Sequence, residues 1–383
     1  MNNQWWAGLS NLDDDQRKVL GLDASGRYYV TGPAGCGKTN LLVLRARYLA
    51  KRGVENYAVL VFNATLERFL TSNPTYGVAS DKVHTFVSWL EHQYWTLIGS
   101  PNGIPEEFNA RRAFLRDGMK AHLDQTGVKN VVDTILVDEI QDYSADEIAI
   151  LGQLGQNLFF VGDVRQQIWQ PGHLAAAIDK VILKSDQIEL TKHYRIGHAI
   201  CRLADRIAKP QKGHRLIFDG CCYDEAKQPS TVRKVQGALA LQLEEAAKTI
   251  ADQVDAYPGE YIGVICPRNA TLDEVSNFLD KRFPKKTTIQ RSGEGYQNFD
   301  VNRPIVCSSL HNSKGLEYRC AHILGADGLE NMPRNRELIY TGVTRAKTSL
   351  VIYHDDKLMG YLADALVAGD PPLPEPPPES LFE

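Results

Sequence analysis

YYVTGPAGCGKTNLL, residues 28–42, decides how the rest of the chain is read. Tyr28-Tyr29-Val30-Thr31 is a β-prone run, and NLLVLRARYLAKR (40–52) has helical periodicity, so the segment reads as strand, loop, helix. The loop fits G-x-x-x-x-G-K-[ST], with Gly32, Gly37, Lys38 and Thr39 at the fixed places. Along Gly32-Pro33-Ala34-Gly35-Cys36-Gly37 the backbone can turn its N–H groups inward at the start of a helix, where they attract a phosphate. Lys38 then faces the β and γ oxygens, and the Thr39 hydroxyl is placed to ligate Mg²⁺. A nucleoside triphosphate, ATP, and its Mg²⁺ are the ligands this chemistry implies.

Such a site needs an acid at the end of a second buried strand. TILVDEIQD (134–142) supplies Asp138 and Glu139 directly after Ile135-Leu136-Val137. Asp138 would hold the metal, and Glu139, one residue farther on, would take a proton from the attacking water. Two acids in this position also suit the N-terminus of a helix, since SADE (144–147) follows.

Farther out, apolar runs alternate with helix-period segments. AVLVF (58–62), NLFFVG (157–162) and QIEL (187–190) complete a first α/β set, and YIGVICP (261–267), RPIVCSSL (303–310), CAHILGA (320–326) and TSLVIYH (348–354) form a second. The chain has 383 residues, enough for two such units. With 43 Lys+Arg against 47 Asp+Glu, the net charge of −4 excludes a protein that coats nucleic acid by bulk charge. Seven cysteines, Cys36, Cys201, Cys221, Cys222, Cys266, Cys307 and Cys320, contain no C-x-x-C pair, so neither a disulfide framework nor a zinc site is expected. With no signal-peptide pattern and no membrane-length apolar run, a soluble cytoplasmic protein is expected.

Eight segments in fixed order carry a family resemblance: LDDDQRKVL (12–20), the Gly32–Thr39 loop, VFNATLERFL (61–70) with VHTFVSWL (83–90), DEIQD (138–142), VGDVRQQIW (161–169), HYRIG (193–197), SLHNSKGLEY (309–318) and YTGVTRAK (340–347). Together they resemble the superfamily 1A helicases of the UvrD/Rep/PcrA type, over residues 12–354. The resemblance implies two RecA-like lobes of α/β fold with parallel sheets, ATP between them and single-stranded DNA across the top. It implies that Gln16 reads adenine, Tyr194 stacks on it, and Glu317 contacts the ribose, with Gly315 permitting close backbone approach. Gln166 would sense the γ-phosphate, and Arg195 and Arg345 would reach the triphosphate from the second lobe. Phe62 and Trp169 would meet DNA bases, and Thr85, His311 and Lys314 its phosphates.

Three departures from the family pattern stand out. Asn40 replaces an arginine that follows GKT, His193 replaces the asparagine of N-Y-R, and the chain is short. The expected layout is a first lobe over 1–192 with a short helical insertion at about 90–133, a second lobe over 193–368, and a Pro-rich disordered tail over 369–383. The second accessory insertion has room only for a loop, at 291–304. The expected activity is an ATP-dependent, 3′→5′ translocase or helicase on single-stranded DNA. The alternative is an ATPase subunit that senses DNA or nucleotide and controls a partner nuclease, as in Gabija-like anti-phage systems.

Overall fold

Runs of β-branched, aromatic and aliphatic residues build two separate sheets. The computed structural model describes residues 9–72, 77–100, 103–163, 166, 173–208, 215–290, 300 and 302–367. In the first lobe, β1 (Arg27–Thr31), β2 (Tyr57–Val61), β3 (Val83–Thr85), β4 (Val132–Val137), β5 (Gly155–Gly162) and β6 (Gln187–Glu189) lie in the order β3-β2-β4-β5-β1-β6. In the second, β7 (Thr231–Gln236), β8 (Ile262–Cys266), β9 (Thr287–Gln290), β10 (Ile305–Ser309), β11 (Tyr318–Ile323) and β12 (Ala346–His354) lie in the order β7-β12-β11-β8-β10-β9. Every neighbouring pair is parallel.

Parallel strands need crossovers, and helices supply them. The first lobe uses α1 (Asp14–Leu20), α2 (Lys38–Lys51), α3 (Ala64–Ser72), α4 (Phe86–Leu97), α5 (Phe108–Thr126), α6 (Ala145–Leu154) and α7 (Leu174–Val181). The second uses α8 (His198–Ile207), α9 (Leu239–Ala256), α10 (Asn269–Arg282), α11 (Asn335–Val343) and α12 (Gly360–Val367). The fold is therefore α/β, two RecA-like lobes each around a six-stranded parallel sheet. One apolar cluster runs from Val30, Leu41 and Leu66 to Leu310, Leu316 and Ile339, so the lobes share buried surface.

The expected insertion after residue 90 consists of the end of α4 and the single long helix α5. Leu115, Met119 and Leu123 bury one face of α5. Arg112 is held by Glu147 at 2.6 and 2.7 Å, and α6 starts with a capping box in which Ser144 accepts from the Glu147 N–H. The insertion is thus a strap over the first lobe. Of the loop expected at 291–304, residues 291–299 and 301 lie outside the described residues, as do Trp169 and the tail from 368. No helix among the described residues is long and apolar enough to cross a membrane.

Candidate functional site

The carboxyl ends of parallel strands leave backbone groups unpaired, and ligands settle there. Gly32–Gly37 links β1 to α2, with Gly35 at φ 81° and Gly37 at φ 85°. At Gly37 a Cβ would also stand 2.9 Å from Gln16 Nε2, so glycine is required twice over. Lys38 Nζ donates to Gly32 O at 2.8 Å and Pro33 O at 2.9 Å, folded back onto its own loop. Gln16 Nε2 donates to Cys36 O at 2.9 Å while its Oε1 accepts from Asp13 N at 3.1 Å. One end of that amide holds the loop and the other closes the capping box of α1, so reading a base would require exchanging these bonds.

At the end of β4, Thr39 Oγ1 donates to Asp138 Oδ2 at 2.8 Å. Burial and the adjacent Glu139 charge push the Asp138 carboxyl upward. A hydroxyl and a buried carboxylate side by side are hard oxygen donors of the kind Mg²⁺ takes, and a cation there would restore the carboxylate's charge. Glu139 is non-glycine yet left-handed at φ 52°, ψ 43°. Such strain persists only where the surroundings enforce it, and it concentrates at functional sites. Glu139 accepts a hydrogen bond from Gln141, whose Oε1 accepts from Asp163 N at 3.0 Å. Burial raises the Glu139 carboxyl, but Lys314, Arg345 and Lys38 outweigh it and hold the group below its ordinary value. It is therefore ionised and able to accept a proton.

The second lobe closes the site. Arg345 is buried and spends its fork on three directions: Thr341 O at 3.1 Å, Leu316 O at 3.3 Å and Gln166 Oε1 at 2.7 Å. Gln166 Nε2 in turn donates to Asp163 Oδ2 at 3.2 Å. Arg195 pairs with Glu317 and donates to Thr344 O at 3.0 Å; burial, then Arg345, pushes its guanidinium down to about 9. Tyr194 is 42% exposed, and its hydroxyl donates to Asp13 Oδ2 at 2.6 Å. Gly315, at φ 81°, brings the second lobe's backbone against Leu66, which would stand 2.9 Å from a Cβ.

These residues line one cavity of about 530 Å³ between the lobes, bringing Gln16, Ala34, Gly35, Gly37, Lys38, Thr39, Asp138, Glu139, Gln166, Tyr194, Arg195, Gly315, Glu317 and Arg345 to a common space. That volume suits a small polar ligand. Sequence reasoning missed Lys347, which also lines it, 4.0 Å from Glu317 and pushed down to about 8 by burial. Its signal was available, since it ends the YTGVTRAK segment.

The expected DNA residues fall elsewhere. Phe62 follows β2, Thr85 ends β3 and caps α4, and His311 follows β10, all on the β2–β3 and β9–β10 side of the two sheets. Thr85 Oγ1 accepts from Ser88 N at 3.4 Å. Lys314 is not presented to solvent. It is 1% exposed, bonded to Asp142 and to Gln166 O at 3.1 Å, and sits 5.4 Å above the Phe62 ring. Burial pushes Asp142 up to about 6 against the pull of Lys314. Contact of Lys314 with a phosphate would thus need this buried pair to open. Trp169 lies outside the described residues.

Comparison with known proteins accords with both lobes. Residues 304–353 match the UvrD-like helicase C-terminal domain, and residues 16–170 match an AAA domain. The chain resembles the UvrD-like helicases. A solved structure, the C-terminal domain of a possible DNA helicase from Lactobacillus plantarun WCFS1, is 19% identical over 46% of this chain and 95% of that one, with a TM-score of 0.33. No curated protein matches the chain.

Gly315→Ala tests how closely the lobes must approach. A left-handed alanine costs about 1–3 kcal/mol, and its methyl must also displace Leu66. The urea midpoint of the full chain is expected to fall accordingly, whereas Gly99→Ala, at φ 106° with open space around it, should lose only the backbone part.

Proposed function

We propose that the chain is an ATP-driven motor of UvrD-like type that moves 3′→5′ along single-stranded DNA. The observation that carries this reading is the interlobe cavity, which gathers the phosphate loop, Asp138 and Glu139 from one lobe and Arg195 and Arg345 from the other. ATP would replace the loop carbonyls as the partner of Lys38. Thr39 and Asp138 would hold Mg²⁺, whose charge neutralises phosphate oxygens. Glu139 accepts the proton of the attacking water, and the two arginines stabilise charge on the transferred group. Each arginine stabilises closure only by what it gains there, so loss of the γ-phosphate releases the second lobe.

DNA fits the opposite side of the same strand ends. Phe62 offers a stacking face, Thr85 and His311 polar contacts, and Trp169 a further aromatic. Between the two sides, Gln166 accepts from Arg345 through its side chain and from Lys314 through its backbone, and Lys314 covers Phe62. A contiguous set of contacts therefore joins nucleotide to DNA residues.

The test is ATPase turnover with and without single-stranded DNA, followed by displacement of 3′-tailed duplexes of increasing length. Stimulation by DNA and poor separation of long duplexes are expected, because the first accessory segment is a short strap and the second has only residues 291–304 available to it. Equal basal and DNA-saturated rates would remove the motor reading and favour a nucleotide-controlled subunit of a partner nuclease.

A further inference from the structure

The turn that carries Tyr194 and Arg195 into the cavity is backed by a cluster of soft donors. His193 lies in the connection between β6 and α8, Cys201 in the first turn of α8, and Cys221 follows a short 3-10 turn at Phe218–Gly220. Their ligand atoms all lie within 4.8 Å of one another. Backbone bonds fix the arrangement, His193 N to Gly220 O at 2.9 Å and Cys222 N to His193 O at 2.8 Å, so His193 and Cys221 pair as a parallel bridge.

We propose that His193, Cys201 and Cys221 form a zinc site that locks the Tyr194–Arg195 turn to the second lobe. The spacing of the donors is the first argument. A tetrahedral ion with Zn–S of about 2.3 Å and Zn–N of about 2.0–2.1 Å separates two sulfurs by about 3.8 Å and a sulfur from a nitrogen by about 3.6 Å. Here Cys201 Sγ and Cys221 Sγ are 3.9 Å apart, and Cys201 Sγ is 3.6 Å from His193 Nε2.

The second argument is how poorly the hydrogen bonds serve these groups without an ion. Both thiols turn to one acceptor, Ile196 O, each at 3.3 Å. His193 is fully buried, and its Nε2 stands between Ile217 O at 3.0 Å and Cys201 Sγ at 3.6 Å. Two thiols and an imidazole gathered within 4.8 Å suit a borderline-soft ion better than they suit each other. Zinc binding would release both thiol protons to solvent, move the imidazole proton to Nδ1, and turn Nε2 from Ile217 O to the ion.

Three protein ligands would leave a fourth position for water, on the half-buried Cys221 side. Cys222 is adjacent but exposed, and its Sγ turns to Gly220 O at 3.8 Å. The ion would tie three segments together directly behind Arg195, which meets Glu317 and Thr344 O on its other side. Its role is to position, and it does not depend on which polynucleotide or partner the lobes serve.

The experiment uses the full chain purified under reductant from zinc-replete medium. Elemental analysis should find about one zinc per chain, and Co²⁺ added to the metal-free protein should give thiolate-to-metal absorption with tetrahedral visible bands. Cys201→Ser and Cys221→Ser should abolish both signals, while Cys222→Ser should keep them. The cobalt spectrum of the unaltered chain needs no variant to fold. A metal-free chain that gives no cobalt spectrum overturns the site. So does a Cys201–Cys221 disulfide formed without reductant, if no metal binds with reductant present. Loss of metal in Cys222→Ser overturns the three-ligand form.

Discussion

Glu139→Gln should keep ATP bound while hydrolysing it at least ~10²-fold more slowly, the scale of a lost general base. The amide preserves size and the left-handed backbone at φ 52° but cannot take a proton from water. Its effect on binding should be small, because the phosphate contacts belong to the loop and Lys38. Lys38→Ala is the contrast: it removes a cation from the phosphates, so affinity and turnover should fall together. Equilibrium binding of a fluorescent ATP analogue beside single-turnover hydrolysis separates the two. Unchanged hydrolysis in Glu139→Gln would remove the carboxylate from the chemistry and leave its strained backbone without a catalytic reason.

The interior of the fold was legible because buried parallel strands read as apolar runs. Val30, Ile135-Leu136-Val137 and Phe159-Phe160-Val161 all announce central strands. The three strands that were missed, β3, β7 and β9, are all at sheet edges. An edge strand is short or half solvated, so its side chains need not be apolar. In Thr231–Gln236 only Val232 and Val235 are half-buried, and the rest, Arg233 and Lys234 among them, are exposed. The fourth edge, β6, was found only because Gln187-Ile188-Glu189 ends in Leu190, which is buried.

The site divides the same way. Contacts made within one segment, such as Gly32–Thr39 or Asp138-Glu139, are visible as spacing. Contacts made by folding are not. Nothing in DEIQD says that Asp142 buries itself against Lys314, 172 residues away. Nor does spacing reveal the cluster of His193, Cys201 and Cys221, which no short cysteine motif marks and only the meeting of β6, α8 and the 218–221 turn creates. Gln16 shows the converse. Its role as an adenine reader is implied by the family resemblance alone, whereas its hold on Cys36 O appears only in three dimensions.

Arg345→Ala should lower turnover at least ~10³-fold, the lower end of what an arginine aimed at a transferring phosphoryl group contributes. The fold of the second lobe explains why lysine should not replace it. Arg345 reaches Thr341 O and Leu316 O with Nε and Nη1 while presenting Nη2 to Gln166 Oε1 at 2.7 Å. Two donors fix the guanidinium plane within its own lobe, which leaves the third aimed across the cleft. An ammonium has no such plane, so Arg345→Lys should also lose most of the turnover. A purely structural role would show differently: Arg345→Lys would lower the thermal midpoint yet hydrolyse ATP at near the normal rate once folded. Gln166→Ala sharpens the distinction, because it frees Nη2 without removing it. If the Arg345–Gln166 bond links phosphate to DNA, Gln166→Ala should retain basal hydrolysis better than Arg345→Ala and lose its stimulation by single-stranded DNA. Equal basal losses in the two variants, with stimulation intact, would show that the bond holds the lobes together and carries no signal between them.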